Sequence, residues 1–115
     1  GAREAAIELV QAMYSNSVAD GYEMRQRALR PVYVGTLKVQ MIAEYRGSEL
    51  TGKVLRIENK GDQSIELTTG MVAPSSALAV SIADTKLAPG KVTTAYLVSQ
   101  NASGSQTGPF SQTGR

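Results

Sequence analysis

Residues 36–45 read Thr-Leu-Lys-Val-Gln-Met-Ile-Ala-Glu-Tyr, and apolar and polar side chains alternate along this stretch. One predicted face carries Leu37, Val39, Met41, Ala43 and Tyr45. The other face carries Thr36, Lys38, Gln40 and Glu44, with Ile42 as the single exception. A period of two is typical of a pleated strand with one buried face. The sequence therefore predicts a long β-strand here, and the same period recurs downstream.

Further strands are predicted on both sides of clear turn signals. Leu50 to Asn59 reads as a second strand and residues 64–68 as a third, with a hairpin turn over residues 59–62. Residues 77–83 alternate larger apolar side chains with small ones, and residues 91–98 form the last predicted strand after Ala88-Pro89-Gly90. Short strands with no helix between them favour an all-β, antiparallel Ig-like β-sandwich.

The segment before Pro31 has a different character. Residues 2–14 predict an α-helix, because Ala6, Val10 and Met13 recur at helical spacing among residues that favour helices. Ile7 and Tyr14 widen this apolar stripe, which leaves two possibilities: packing on the domain's own sheet or docking on a neighbouring subunit. The predicted organisation is a helix and connector over residues 1–31, a β-sandwich over 32–99 and a flexible tail over 100–115.

Composition argues against several classes of function. The chain of 115 residues has a net charge of +2 with dispersed Lys and Arg, which predicts no direct nucleic-acid binding. It has no His and no Cys, the usual groups for proton transfer and for nucleophilic catalysis. Glu44, Glu58 and Glu66 are expected on solvent-facing strand positions, and glycines 47, 52, 61, 70 and 90 between or at the ends of strands. We predict no enzyme activity, no cofactor and no metal site.

Backbone and apolar surface remain as the means of recognition. An open sandwich has edge strands whose unpaired N–H and C=O groups accept an extended peptide. The long strand around residues 32–45 is the first candidate edge, with a central, fully paired strand as the alternative. The predicted partner-binding residues lie on this strand and on the helix stripe: Val32, Val34, Thr36, Leu37, Val39, Met41, Val10, Met13 and Tyr14.

An ordered set of short motifs resembles the C-terminal part of the TraK family. The set comprises Asp20-Gly21-Tyr22, the strand ending in Tyr45-Arg46-Gly47, Leu50-Thr51-Gly52 with residues 54–59, Leu78-Ala79-Val80-Ser81, Leu87-Ala88-Pro89-Gly90 and residues 94–98. The resemblance covers approximately residues 5–99. It implies a periplasmic subunit of the outer-membrane core complex of an F-like conjugative type IV secretion system, related to the larger VirB-type ring subunit.

The same resemblance implies the partners. These are a small outer-membrane lipoprotein of the TraV type, a channel-forming core protein of the TraB type and neighbouring copies in a homo-oligomeric ring. No segment approaches the roughly 20 apolar residues that a membrane-spanning helix needs, so contact with the outer membrane is expected only through partners. Two alternatives stay open: an Ig-like strand-exchange or chaperone-type module of a pilus system, and a carbohydrate-binding module, against which the scarcity of aromatic residues argues.

Overall fold

The computed structural model describes residues 1–17 and 19–102. It begins with helix α1 over Ala2–Tyr14, the segment predicted from the sequence. The helix ends where Asn16 adopts a left-handed backbone conformation with φ of 54°. There the N–H groups of Ser15 and Ser17 donate to the carbonyls of Gln11 and Ala12, which satisfies acceptors that the helix itself leaves free.

Eight strands and a short helix follow in the described part of the chain. Helix α2 spans Thr69–Val72 and separates the fifth strand from the sixth. The strands are β1 (Glu23–Gln26), β2 (Val32–Val34), β3 (Leu37–Arg46), β4 (Leu50–Asn59), β5 (Ile65–Glu66), β6 (Ala79–Ile82), β7 (Lys86–Leu87) and β8 (Val92–Gln100). Neither described helix has the length and apolar content needed to cross a membrane.

The strands form two antiparallel sheets, which confirms the predicted all-β, sandwich-like fold with an N-terminal helix. The larger sheet has six strands in the order β1-β3-β4-β8-β6, and β2 pairs with β3 on the same side as β1. The smaller sheet is a ribbon of β5 and β7. The predicted tail lies outside the described residues except for its first three, and Gln100 is still part of β8.

Two apolar clusters lie on opposite faces of the large sheet. The helix-side cluster joins Ala6, Leu9 and Met13 of α1 to the sheet residues Tyr45, Leu50, Val54, Tyr96 and Val98. The ribbon-side cluster joins Leu67 and Leu87 to the sheet residues Leu37, Leu55, Ile57, Ala95 and Leu97. The helix therefore packs on its own sheet through Ala6, Leu9 and Met13.

A β-bulge at Ile42 divides β3 between these clusters. Met41 pairs with Leu55 and Ala43 pairs with Val54, so Ile42 is an extra residue that has no pairing partner in β4. Leu37, before the bulge, faces the ribbon, whereas Tyr45, after it, faces the helix. The prediction of a single apolar face along β3 is wrong, and Ile42, which broke the alternation, marks the place where the face changes.

Three segments differ from the sequence prediction. The basic connector contains β1, whose four residues are all exposed and so carry no burial pattern. Residues 59–62 do turn the chain, but β5 pairs with β7 instead of β4. The end of β8 is held by Asn101, whose Nδ2 donates to the Gly47 carbonyl at 2.9 Å and whose N–H donates to the Glu49 carbonyl at 2.8 Å.

Gly52 has a structural role that the sequence analysis missed. It lies inside β4, where a Cβ atom would be 2.7 Å from Met13 Sδ and 3.0 Å from Leu9 Cδ2. The absence of a side chain lets α1 approach the sheet closely. The expectation that this glycine lies at the end of a strand is therefore wrong.

Candidate protein-binding edges

One edge of the large sheet is built from β1, β2 and the segment between them. We refer to residues 23–34 as the β1–β2 edge. Between the two strands, the N–H groups of Arg27 and Leu29 donate to the carbonyls of Ile42 and Met41 at 3.0 and 3.2 Å. The edge is thus attached to β3 along its length, and β3 is a central strand paired with β4 on its other side. The prediction that the long strand itself is an edge is wrong from Leu37 onward.

The outward main-chain groups of this edge follow from the antiparallel register. The Arg27 bond to Ile42 and the pairing of Arg25 with Glu44 direct the backbone groups of odd-numbered residues in β1 toward β3. The N–H and C=O groups of Met24 and Gln26 therefore point away from the sheet. In β2, the main-chain N–H and C=O groups of Val32 and Val34 point toward β3, because a two-residue hairpin joins Val34 to Leu37. The main-chain groups of Tyr33 therefore point outward.

Apolar side chains are concentrated on β2. Val32, Tyr33 and Val34 are 63%, 60% and 46% exposed, although the strand presents side chains to both faces of the sheet. Met24 and Leu29 are also exposed on the same edge. Exposed residues of strong β propensity on an unpaired edge form a template for another strand.

A cleft adjoins β1 on the helix side of the sheet. It has a volume of about 200 Å³ and is bounded by the loop after α1 and by Tyr22, Met24, Gln26 and Tyr45. Tyr22 can pack against Gly47 because this residue has no side chain; a Cβ atom there would be 2.6 Å from Tyr22 Cε2. All of the lining residues are uncharged.

The opposite face beside β1 is charged. Glu44 is 6% exposed, so the expectation that it faces solvent is wrong. It lies between Arg25 of β1 and Lys53 of β4 in the register, and Arg46 Nη2 donates to its carboxylate at 3.3 Å. Among the described residues at these register positions, the cations Arg25, Arg46 and Lys53 outnumber the two carboxylates, Glu44 and Glu23. Burial near several cations fits a structural carboxylate.

The second edge of the sheet is β6. A groove of about 420 Å³ separates it from α1 and is lined by Val10, Tyr14, Ser81 and Ile82, among others. Ala79 and Ser81 of β6 pair with Val98 and Tyr96 and so lie on the helix side of the sheet. Because both side chains are small, they leave the groove open. Tyr14 is exposed at the rim and contacts the ring of Tyr96 edge to face, with centroids 5.6 Å apart.

The predicted partner-binding residues separate into three groups. Val32, Val34 and Thr36 are exposed at the β1–β2 edge and its hairpin. Val10 and Tyr14 line the groove beside β6. Leu37, Val39, Met41 and Met13 belong to the two apolar clusters or pack against them, and Leu37 and Met13 are buried. The predicted set did not include Met24, Arg25 and Tyr22, whose signal in the sequence is the short alternation of apolar and charged residues after Asp20-Gly21.

The pKa shifts of Glu58 and Tyr96 have local causes. A hydrogen bond from Arg56 lowers the pKa of Glu58, against a smaller opposing effect of desolvation. Burial raises the pKa of Tyr96, with a further contribution from nearby Tyr14. In the ranges 1–17 and 19–102, Asp and Glu side chains form no group of three or more suited to a metal ion.

Comparison with known proteins identifies one family. No curated protein matches the sequence significantly. The family described as the TraK C-terminal domain matches residues 1–99, which include α1 and nearly the whole of β8. This match covers most of the chain and confirms the resemblance that the sequence showed. The chain therefore belongs to the TraK C-terminal domain family, whose members are structural components of conjugative transfer.

Proposed function

We propose that this domain is a structural subunit of the outer-membrane core complex of a conjugative type IV secretion system. In this role it resides in the periplasm, binds a small TraV-like lipoprotein and contacts a TraB-like channel protein and neighbouring copies in a ring. The observation that carries the proposal is the β1–β2 edge of a TraK-family domain, to whose outer side no other described strand pairs and whose strand Val32-Tyr33-Val34 is exposed.

Strand addition is the mode of binding that this edge supports best. Its outward N–H and C=O groups at Met24, Gln26 and Tyr33 can pair with an extended segment of the lipoprotein, and exposed side chains on both sides add contact area. Because the edge is long but irregular between β1 and β2, the partner segment would pair in two short stretches. The membrane contact of the domain would then be made by the lipoprotein.

The second edge is available for a different neighbour. The groove between α1 and β6 lies at the other end of the strand order from β1 and β2. Two unlike edges on one domain allow a lipoprotein to bind at the first and an adjacent subunit at the second at the same time, and in a head-to-tail ring the second edge would supply one of the two unlike surfaces of each subunit contact. We assign ring contacts to this second edge.

Co-purification from the native host tests the proposal. The full-length protein carrying this domain is tagged and isolated from cells with the conjugation apparatus intact. We expect recovery of a small lipoprotein together with a ring-shaped assembly. Recovery of pilin subunits instead would favour a chaperone-type strand-exchange module and would contradict the proposal.

A matched pair of variants locates the contact. Val32→Lys with Val34→Lys places charge on the exposed edge, and we expect loss of the lipoprotein from the purified complex. Val92→Lys is the control, because Val92 is similarly exposed but lies at the start of β8 away from this edge. Equal retention of the lipoprotein by both variants would remove the β1–β2 edge from the interface.

A further inference from the structure

We infer that β1 accepts a partner strand in which apolar and acidic side chains alternate. This inference rests on the proposed function and specifies the chemistry of the segment that binds at the β1–β2 edge. Three features support it: outward main-chain groups, an uncharged cleft on one side of β1, and an excess of positive charge on the other side.

The main chain of β1 fixes how a partner strand would align. Met24 and Gln26 direct their N–H and C=O groups away from β3. Within residues 1–17 and 19–102, these groups make no backbone hydrogen bond. A strand added there continues the pleat of the sheet. Its successive side chains therefore point in turn to the helix side and to the opposite side.

The helix side of β1 is suited to apolar side chains. Met24 pairs with Tyr45 on this side, and the adjoining cleft is lined by Tyr22, Met24 and Tyr45. A partner residue opposite Met24 would place its side chain over the cleft. Since the lining carries no charge, a carboxylate or ammonium group would lose hydration there without gaining an ionic partner.

The opposite side of β1 is suited to carboxylates. Arg25 lies on this side and is about half exposed, and Arg27 follows at the spacing that continues the same side. Glu23 contacts Arg25 only at 3.4 Å, and Glu44 is already bonded to Arg46. A partner carboxylate opposite Arg25 or Arg27 therefore gains an ion pair at the rim of the interface.

The same cations disfavour incorrect partners. Arg25, Arg27 and Arg30 would repel the identical edge of a second copy, and charged residues on an edge strand are a known defence against self-association. An acidic strand escapes this repulsion. The edge thus combines attraction for one kind of segment with rejection of its own kind.

Synthetic peptides test the predicted pattern directly. Three fluorescently labelled peptides of equal length alternate valine with glutamate, serine or lysine, and their binding to the 115-residue chain is followed by fluorescence anisotropy. We expect the glutamate peptide to bind most tightly, the serine peptide about tenfold more weakly, and the lysine peptide most weakly. Equal affinities, tighter binding of the lysine peptide, or no binding of the glutamate peptide would overturn the inference.

Charge variants separate recognition from folding. Arg25→Gln with Arg27→Gln should weaken binding of the glutamate peptide by about threefold to tenfold and leave binding of the serine peptide unchanged. A variant that merely misfolds would lose both peptides. Lys86→Gln with Lys91→Gln is the control, because it removes the same charge from exposed residues away from β1. Equal loss in the two double variants would contradict a role for the arginines.

The outcomes also distinguish this inference from the proposed function. If the Val32→Lys and Val34→Lys variant loses the lipoprotein in cells while the peptides show no preference for glutamate, the function stands and the acidic pattern is wrong. If the glutamate preference is found but no lipoprotein co-purifies, the edge chemistry stands and the partner is another protein.

Discussion

At the scale of single residues, the side chain of Asn59 connects the end of β4 to the following turn and to β7. Its Nδ2 donates to the carbonyls of Gln63 and Leu87 at 2.8 and 2.9 Å, and its Oδ1 accepts from the N–H of Gly61. The side chain is fully buried with these groups satisfied. The sequence identified Asn59 only as a turn residue, because its bond to Leu87 joins residues distant along the chain.

Asn59→Asp should therefore destabilise the fold. The carboxylate retains an acceptor for Gly61 but cannot donate to two buried carbonyls, and we expect a loss of about 2–4 kcal/mol in the free energy of unfolding. Urea denaturation measures this loss. Gln63→Ala is the control, since only the main chain of Gln63 takes part; a similar loss in both variants would refute the role of the Asn59 side chain.

Glu58 gives the fold a dependence on acidic pH. Arg56 Nη1 lies 3.0 Å from Glu58 Oε1, and this contact holds the pKa of Glu58 below its ordinary value of 4.5. The stabilising contribution is present at neutral pH and is lost as the pH falls through the lowered pKa.

Glu58→Gln should remove that contribution. We expect the difference in unfolding free energy between wild type and variant to be constant above the ordinary carboxyl pKa of 4.5 and to shrink below it. Urea titrations across an acidic pH series provide the measurement. Glu66→Gln is the control, because Glu66 makes no ion pair in the described part of the chain. Parallel curves for wild type and Glu58→Gln would show that the pair is unimportant.

At the scale of secondary-structure elements, local pattern predicted some boundaries fully and others poorly. The bounds of α1 and β4 agree with the sequence prediction because each has a strong period and clear turn residues at its ends. β1 and β7 were missed because their pairing partners are distant along the chain. The change of face at Ile42 was visible as a broken alternation, but only the register with β4 identifies it as a bulge.

Gly52 determines how closely α1 approaches the sheet, which a substitution can test. Gly52→Ala would bring a methyl group to 2.7 Å from Met13 Sδ, so the methionine or the helix must shift. We expect destabilisation of about 1–3 kcal/mol by chemical denaturation. In a Met13→Ala background the same change should cost less, because the two nearest atoms belong to Met13 and only Leu9 Cδ2, at 3.0 Å, would still crowd the methyl group.

Gly70→Ala is the matched control for this experiment. Nothing lies within 4 Å of the position that its Cβ would occupy, and its backbone needs no left-handed conformation. The Gly70→Ala variant should have the same free energy of unfolding as wild type. A cost for Gly52→Ala that persists unchanged without Met13 would show that the contact with Met13 is not the reason that this position requires glycine.

At the scale of the whole molecule, the fold class followed from composition and period, whereas the site depended on strand order. Val32 and Val34 are exposed in the structure, whereas Leu37 of the predicted strand edge and Met13 of the predicted helix stripe are core residues. Which strand becomes an edge is decided by pairings between distant segments, and a linear pattern does not contain them. The cleft beside β1 likewise requires α1, β1 and β3 to be placed together.

Removal of α1 tests whether the sheet can fold cooperatively without the helix that covers one of its faces. Deletion of residues 1–17 would expose the helix-side cluster, including Tyr45, Val54 and Tyr96. We expect binding of the dye ANS and loss of a sharp unfolding transition. A chain ending at Ala102, which keeps every described residue, is the control and should unfold as wild type does. Cooperative unfolding of the chain without α1 would contradict the view of the helix as part of the core.

Val54 and Leu55 are neighbours in β4, yet their side chains belong to clusters on opposite sides of the sheet. A displacement of the main chain at this point is consequently shared by both layers. Tension applied through the helix would be transmitted to the ribbon through the middle of β4, across the thickness of the domain. A subunit held between neighbours in a large assembly would gain from such a path, since a pull on one surface would be resisted by contacts on the far surface.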